Sequence, residues 1–414
     1  MSYIIRRLRS NIGGQAIMLA GTTGVGQVVT ALLYILSAKS AEPSEFGLIV
    51  SAIAVGTTGV GLLDFGTNAY WLRELSARRM NALVLGRRLS SKLFYSCAIF
   101  AAWSITTFIL LPDSSLWMAG PYGMALLLSQ SLQIPLRSLG RMEFIAGAIL
   151  ADRAMAAVVF FGLILIGIPS VLALWFGLIA GGIVSTFLCW ILTPCANRPA
   201  LRLQLRTNPW SASRHYGFAS VALTARSLDI PLLTMGAGAS AAGIYAAVNR
   251  WTQPMSLLSN AFASASAPHV AGAESAVEAW KLARKSIWLL GLAILCCLAA
   301  AVGAPYLVDF FIGSTYAGSA DVLRILALVT IFSVVNEPLF IFLQARGLDK
   351  PIAAITVVAI AMQLGLVIVL SPLVGALGAA FASAVTQLGL TLAMGSLVLA
   401  KFNHLRAGLV DVAG

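Results

Sequence analysis

Twelve stretches of this chain are apolar over enough residues to cross a lipid bilayer, and they fill it almost end to end. A hydrocarbon core about 30 Å thick takes about 20 residues of helix. Candidate spans fall near 12–37, 45–70, 93–111, 118–136, 145–167 and 171–193, then near 216–237, 241–267, 286–308, 320–345, 352–370 and 373–399. With 59% hydrophobic and 10% charged residues, the 414-residue chain carries too little polar surface for a water-soluble domain. Lipid offers the backbone no hydrogen-bond partners, so apolar runs of this length specify helices that bond internally. The expected fold class is all-α and polytopic.

Basic residues resist translocation and mark cytoplasmic connections. Arg6, Arg7 and Arg9 precede the first span; Arg73, Arg78, Arg79, Arg87, Arg88 and Lys92 separate the second from the third; Arg137 and Arg141 follow the fourth. The same side receives Arg198, Arg202, Arg206, Arg214, Lys281, Arg284, Lys285, Arg346, Lys350, Lys401 and Arg406, whereas the opposite connections hold Lys39 and Arg324. Both termini are therefore expected in the cytoplasm, and the net charge of +12 reads as a topology signal with attraction to anionic lipid heads. The basic residues sit in short turns without aromatic partners along a shared groove, which argues against nucleic acid. The first apolar run is about twice the length of a signal-peptide core and is read as an uncleaved anchor, with Arg6-Arg7 as an orientation signal in preference to a twin-arginine export signal.

Cys97, Cys189, Cys195, Cys296 and Cys297 lack metal-ligand spacing, and His215, His269 and His404 lie far apart, so no metal or catalytic site is expected. No Gly-rich phosphate loop follows a strand, and no polar segment is longer than about 22 residues, too short to bury a core of its own. The expectation is a non-enzyme without a resident cofactor.

Two weak internal matches suggest duplication: Glu45-Phe46-Gly47-Leu48-Ile49 against Ala241-Ala242-Gly243-Ile244-Tyr245, with Asp64 opposite Asn260, and Gly140 with Ile145-Ala146 against Gly347 with Ile352-Ala353. Two six-helix lobes, 1–197 and 198–414, are expected about a pseudo-twofold axis along the membrane normal, with a cavity between them.

The residues also carry a family pattern. Glu45-Phe46-Gly47, Asp64-Phe65-Gly66 and Arg73-Glu74-Leu75 resemble the opening of bacterial Wzx-type polysaccharide repeat-unit flippases, of the multidrug/oligosaccharidyl-lipid/polysaccharide (MOP) exporter superfamily. Asp229 with Leu232-Leu233, Gly243-Ile244-Tyr245-Ala246-Ala247, Gly313 with Tyr316, Leu323 and Leu326, and Gly347-Leu348-Asp349-Lys350 resemble that family's second half. The resemblance implies twelve to fourteen helices in two lobes, a bacterial inner-membrane location, and alternating access that moves undecaprenyl-pyrophosphate-linked oligosaccharide outward, alongside polysaccharide polymerase or ligase machinery.

Ionisable groups held inside a bilayer are costly and are usually functional. Arg226 and Asp229 lie near mid-span at i, i+3, and Arg250 reaches a similar depth on the next expected span. Guanidinium forks match phosphate oxygens at two points and stay charged, so Arg226 and Arg250 are the candidate pyrophosphate ligands. A structural Arg226–Asp229 ion pair is the plain alternative. Asp229, Asp64 and Glu337 are candidates for a gate or for proton or sodium coupling, with Arg73 and Arg137 the nearest expected partners of Asp64. Asp152 and Arg153 project about 100° apart on a helix, which argues for separate partners. Gln15, Gln27 and Asn68 are candidates to touch sugar hydroxyls or neighbouring helices. Pro231 and Pro254 flank the charged site and are candidate hinges; Pro305 and Pro338 also interrupt spans.

Three function classes compete: a lipid-linked oligosaccharide flippase; another exporter of the same superfamily, moving drugs, organic cations or a lipid-linked peptidoglycan precursor; and a membrane glycan polymerase or ligase. The arginines disfavour a cation exporter, and the longest external connection, near 309–319, is short for a polymerase's acceptor loop.

Overall fold

The computed structural model describes residues 12–198, 207–211, 213–252, 287–316, 318–345 and 348–410. Every regular element among them is helical. Among the described residues, nine helical stretches are long and apolar enough to cross a membrane, one of them Ser220–Thr252, and ten if the bent pair Leu290–Val302 and Ala304–Phe311 makes one span. The chain packs into two compact units, Met1–Ala247 with Phe311–Thr315, and Val248–Phe310 with Tyr316–Gly414.

The first unit opens with α1 (Ile12–Lys39) and α2 (Pro43–Asp64). Pro43 occupies the first turn of α2, where its missing N–H leaves no intrahelical bond unmade. At the other end Phe65 and Gly66 are both left-handed, at φ 42° and φ 68°. This pair stops α2 at Asp64, short of the expected limit near 70, and turns the chain into the short α3 (Thr67–Ser76). Helix α4 (Ala82–Leu110) begins well before the expected position near 93, because the Asn81 side chain caps it by accepting from the backbone N–H of Val84 at 2.9 Å. Arg87, Arg88 and Lys92 are thereby helical residues and not loop residues.

The span expected over 118–136 is divided into a 3-10 turn (Ser115–Met118), α5 (Ala119–Leu132) and α6 (Ile134–Ser138). Helices α7 (Met142–Leu165) and α8 (Ser170–Leu192) form an antiparallel pair on which α1 packs, with α5 between α8 and α2. Leu89, Leu93, Phe100, Leu127 and Ile145 anchor the apolar core. One end of these helices carries Arg73, Arg78, Arg79, Arg87, Arg88, Arg137, Arg141 and Arg198; the other carries Lys39, Glu42, Glu45 and Asp113.

Helix α9 (Arg214–Ala225) passes through a 3-10 turn (Arg226–Leu228) into α10 (Asp229–Asn249), which is broken at Gly238 (φ 87°, ψ 167°). Glycine reaches this backbone conformation without a Cβ clash. The break coincides with the junction expected between the seventh and eighth spans. Residues 217–227 run antiparallel to the C-terminal half of α2, with Gly217 on the Phe65 ring and Thr224 against Gly61; beyond the break, Ala239 lies against Gly47 and Gly243 on the Pro43 carbonyl, at the other end of α2. A Cβ on Gly243 would overlap that carbonyl, which cannot yield as a side-chain tip does. Gly243→Ala is therefore expected to cost about 1–3 kcal/mol through overpacking, read as a lowered melting temperature of the purified protein. Gly291→Ala, where a Cβ meets open space, serves as the neutral control.

In the second unit a 3-10 turn (Arg250–Thr252) follows α10, so Arg250 is described in this tight turn, and residues 253–286 of the expected eighth and ninth spans lie outside the described residues. The ninth span is bent by 74° between α11 (Ile287–Val302) and α12 (Ala304–Phe311). Helix α13 (Ser319–Ala345) contains Pro338, α14 (Asp349–Val374) contains Pro372, and α15 (Ala376–Val410) packs on both.

Candidate functional site

The best-defined charged centre is one the sequence placed wrongly. Lys92 lies three turns inside α4 with none of its surface exposed, and its Nζ pairs with Asp64 at the end of α2. The same Nζ donates to Asn68 Oδ1 at 2.9 Å and to Ser131 Oγ at 3.1 Å, and lies 5.1 Å from the centre of the Trp71 ring. Asp64 Oδ1 also accepts from Thr67 Oγ1 at 3.0 Å and from the Asn68 backbone N–H at 3.3 Å. Four side chains, Thr67, Asn68 and Trp71 of α3 and Ser131 of α5, thus converge on the ion pair between α2 and α4 at the basic end of the unit. The expected partners of Asp64, Arg73 and Arg137, are not used among the described residues; Arg137 instead donates to Gln133 Oε1 at 3.0 Å. Left-handed Phe65 and Gly66 turn α3 back, which brings Thr67 and Asn68 beside the carboxylate.

The second centre is the tightened turn between α9 and α10. Pro231 has no N–H to give the carbonyl of Ser227, and the backbone compresses to a 3-10 turn over Arg226–Leu228 just ahead of it. Pro231 therefore sits in the first turn of α10, where the candidate hinge coincides with the segment that carries Arg226. Ser227 Oγ meets Thr58 Oγ1 at 2.9 Å. Thr58 lies six residues before the end of α2, which sets this turn about 9 Å from that end.

Arg226 is exposed, Asp229 is 6% exposed, and the two form no ion pair. Asp229 Oδ2 accepts from the Tyr245 hydroxyl at 3.0 Å, and its Oδ1 from the N–H of Ile230 at 2.8 Å. In a straight helix sixteen residues separate groups by about 24 Å, so the Tyr245 bond requires the reversal at Gly238. The inward turn of Asp229 toward Tyr245 corrects the expected Arg226–Asp229 pair and leaves Arg226 without a carboxylate partner among the described residues.

Arg250 belongs to the second unit, is half-buried, and lies the same number of residues beyond Gly238 as Arg226 lies before it. Pro254 lies outside the described residues. Glu337 is half-buried on α13 before Pro338. Its neighbour Asn336 bonds Gln387 Oε1 at 3.0 Å and accepts from Thr391 at 2.8 Å, a network joining α13 to α15 that the sequence did not signal.

Asp152 and Arg153 meet at 3.5 Å, contrary to the expectation of separate partners. Their Cβ directions diverge, but the long arginine side chain, lying against Gly26 of α1, folds back to its neighbour. Of the polar residues proposed to meet sugars, Asn68 is committed to Lys92, Gln27 Oε1 is buried without a hydrogen bond among the described residues, and Gln15 is not described at side-chain level. Among the described residues no group of His, Cys, Asp and Glu is placed to hold a metal ion.

No protein-family model matches the chain, and no curated protein matches it. Solved structures do. The lipid II flippase MurJ in an inward closed conformation is similar with a TM-score of 0.75, 13% identity, and coverage of 92% of this chain and 87% of that one. An inward-facing multidrug resistance MATE family transporter of the MOP superfamily matches with a TM-score of 0.66 and 15% identity over 90% and 95% of the two chains. A MOP superfamily transporter from Pyrococcus furiosus, described as having a binding pocket of reversed polarity, matches with a TM-score of 0.56 and 14% identity over 95% and 97%. The chain shares its fold with these solved transporters.

Proposed function

We propose that the protein is a flippase that moves undecaprenyl-pyrophosphate-linked oligosaccharide repeat units, of the kind used for O-antigen, exopolysaccharide or capsule, from the cytoplasmic to the outer leaflet of a bacterial inner membrane by alternating access. The observation that carries this reading is Arg226: an exposed guanidinium within a membrane-spanning stretch, with no carboxylate ion pair among the described residues, in a fold shared with a lipid flippase. Facing acyl chains, such a group costs about 2.5–3.5 kcal/mol on translocon scales. Beside a water-lined path it escapes that cost and attracts a diphosphate.

Arg250 is the proposed second ligand, because its guanidinium offers the same two-point match to phosphate oxygens. Asp229, Asp64 and Glu337 are the proposed gate or coupling groups, for protons or sodium, and Pro231 and Pro254 the proposed hinges. The basic end of the first unit is assigned to the cytoplasm.

The test is reconstitution into vesicles with a fluorescent undecaprenyl-diphosphate oligosaccharide, read by quenching of the label on one face. Transbilayer movement well above protein-free vesicles is expected. Absence of movement, together with transport of an organic cation dye by the same preparation, would replace this reading with that of a cation exporter.

A further inference from the structure

The basic end of the first unit holds a cavity of about 660 Å³, lined from three connections: residues 75–85, 135–139 and 196–197. That size lies within the roughly 300–1,000 Å³ of small-ligand sites. No acidic residue lines it. Arg78 does, exposed and with its guanidinium in no ion pair or hydrogen bond among the described residues. Of the other arginines at this end, Arg79 lies 3.8 Å from Glu74, Arg137 holds Gln133, Arg141 lies over the Phe144 ring, and Arg198 donates to the carbonyls of Ile191 and Thr193, whereas Arg87 and Arg88 do not line the cavity. Arg78 also holds a left-handed backbone, φ 56°, which costs a branched or long residue energy and would suit Gly or Asn better.

The cavity has a second positive contribution. Asn81 and Ala82, both in its wall, begin the 29-residue α4. Asn81 satisfies the N–H of Val84, and the first turn of α4 holds no acid, so the positive end of this helix is not neutralised. Leu75, Leu85 and Leu139 add apolar surface to the lining. A lining that combines a free guanidinium and a helix N-terminus with apolar side chains fits an amphiphile with a negative head, and leaflets facing the basic side of membrane proteins carry anionic lipid.

We infer that this cavity binds the phosphate headgroup of an anionic membrane lipid, with Arg78 as the principal ligand and the start of α4 supporting it. The site lies in the first unit alone and does not depend on the transported cargo.

The full-length protein in detergent micelles would be titrated with phosphatidylglycerol, phosphatidylcholine and inorganic phosphate, with binding read by native mass spectrometry and by thermal stability. Phosphatidylglycerol is expected to bind about tenfold more tightly than phosphatidylcholine, and Arg78→Gln to remove about tenfold of that affinity. Asn81→Asp retains a good helix cap while adding a negative charge to the wall, and is expected to weaken binding as well. Arg324→Gln, whose arginine pairs with Asp321 far along the chain, should leave binding unchanged. Inorganic phosphate lost equally in Arg78→Gln would support the site with a soluble source. Equal phosphatidylglycerol affinity in wild type, Arg78→Gln and Asn81→Asp, or no preference over phosphatidylcholine, would overturn it.

Discussion

Replacing Lys92 by methionine is expected to destabilise the protein by about 3–5 kcal/mol, the largest effect of any single substitution considered. Removing one partner of a buried ion pair leaves the other charge uncompensated, and that cost exceeds what the pair itself contributes. Methionine preserves most of the volume and the unbranched shape, so the loss reports charge and hydrogen bonding and not a cavity. Lys92 is fully enclosed, and Asp64, Asn68 and Ser131 each lose their bond to Nζ. Asp64 retains only the Thr67 hydroxyl and the Asn68 N–H.

The double substitution Lys92→Met with Asp64→Asn removes both charges and is expected to recover much of the loss, giving a coupling energy of the order found for contacting pairs, about 0.5–3 kcal/mol or more. Melting temperatures of the purified single and double variants measure this directly. A Lys92→Met protein as stable as wild type would mean that water reaches Asp64 freely, and the cluster would then be an interfacial charge without structural consequence.

The Lys92 centre also shows where reading by sequence reached its limit. Helical class, the approximate positions of most spans and the turn near 238–240 follow from apolar run length, because lipid imposes a requirement on backbone bonding that is independent of neighbours. Three features depended on neighbours and escaped. Lys92 was assigned to a loop, since Arg87, Arg88, Ser90 and Ser91 interrupt the apolar pattern of α4 just before it; the Asn81 cap three residues ahead of Val84 was the overlooked clue. Tyr245 was read as part of a family pattern, although its hydroxyl reaches Asp229 only when the chain reverses at Gly238. The Asp64 pairing was sought with Arg73 and Arg137 because Lys92 was read as a loop residue, whereas Lys92 arrives from inside α4. Polar residues in membranes find partners by three-dimensional proximity, which depends on where each helix begins. Pro231 illustrates the converse: its local effect was legible, and the 3-10 turn stands where a missing N–H requires it.

That turn is why Arg226 carries the strongest functional prediction. Arg226→Ala is expected to lower the flipping rate of a diphosphate-linked oligosaccharide by about 10- to 100-fold, since a hydrogen bond to a charged group is worth about 1.5–3 kcal/mol and each 1.4 kcal/mol is about tenfold in rate. Arg226→Lys keeps the charge but loses the two-point fork, and should fall between alanine and wild type. Stability should change little, because the guanidinium is exposed and Asp229 bonds Tyr245 and Ile230 independently of it. That independence separates the two roles that Arg226 was given from sequence. If Arg226 were a structural partner of Asp229, alanine would lower the melting temperature and Asp229→Asn would restore it. A binding role instead predicts an unchanged melting temperature, a reduced rate, and loss confined to phosphate-bearing cargo. Wild-type flipping by Arg226→Ala in vesicles of matched protein content would remove the arginine from the translocation path.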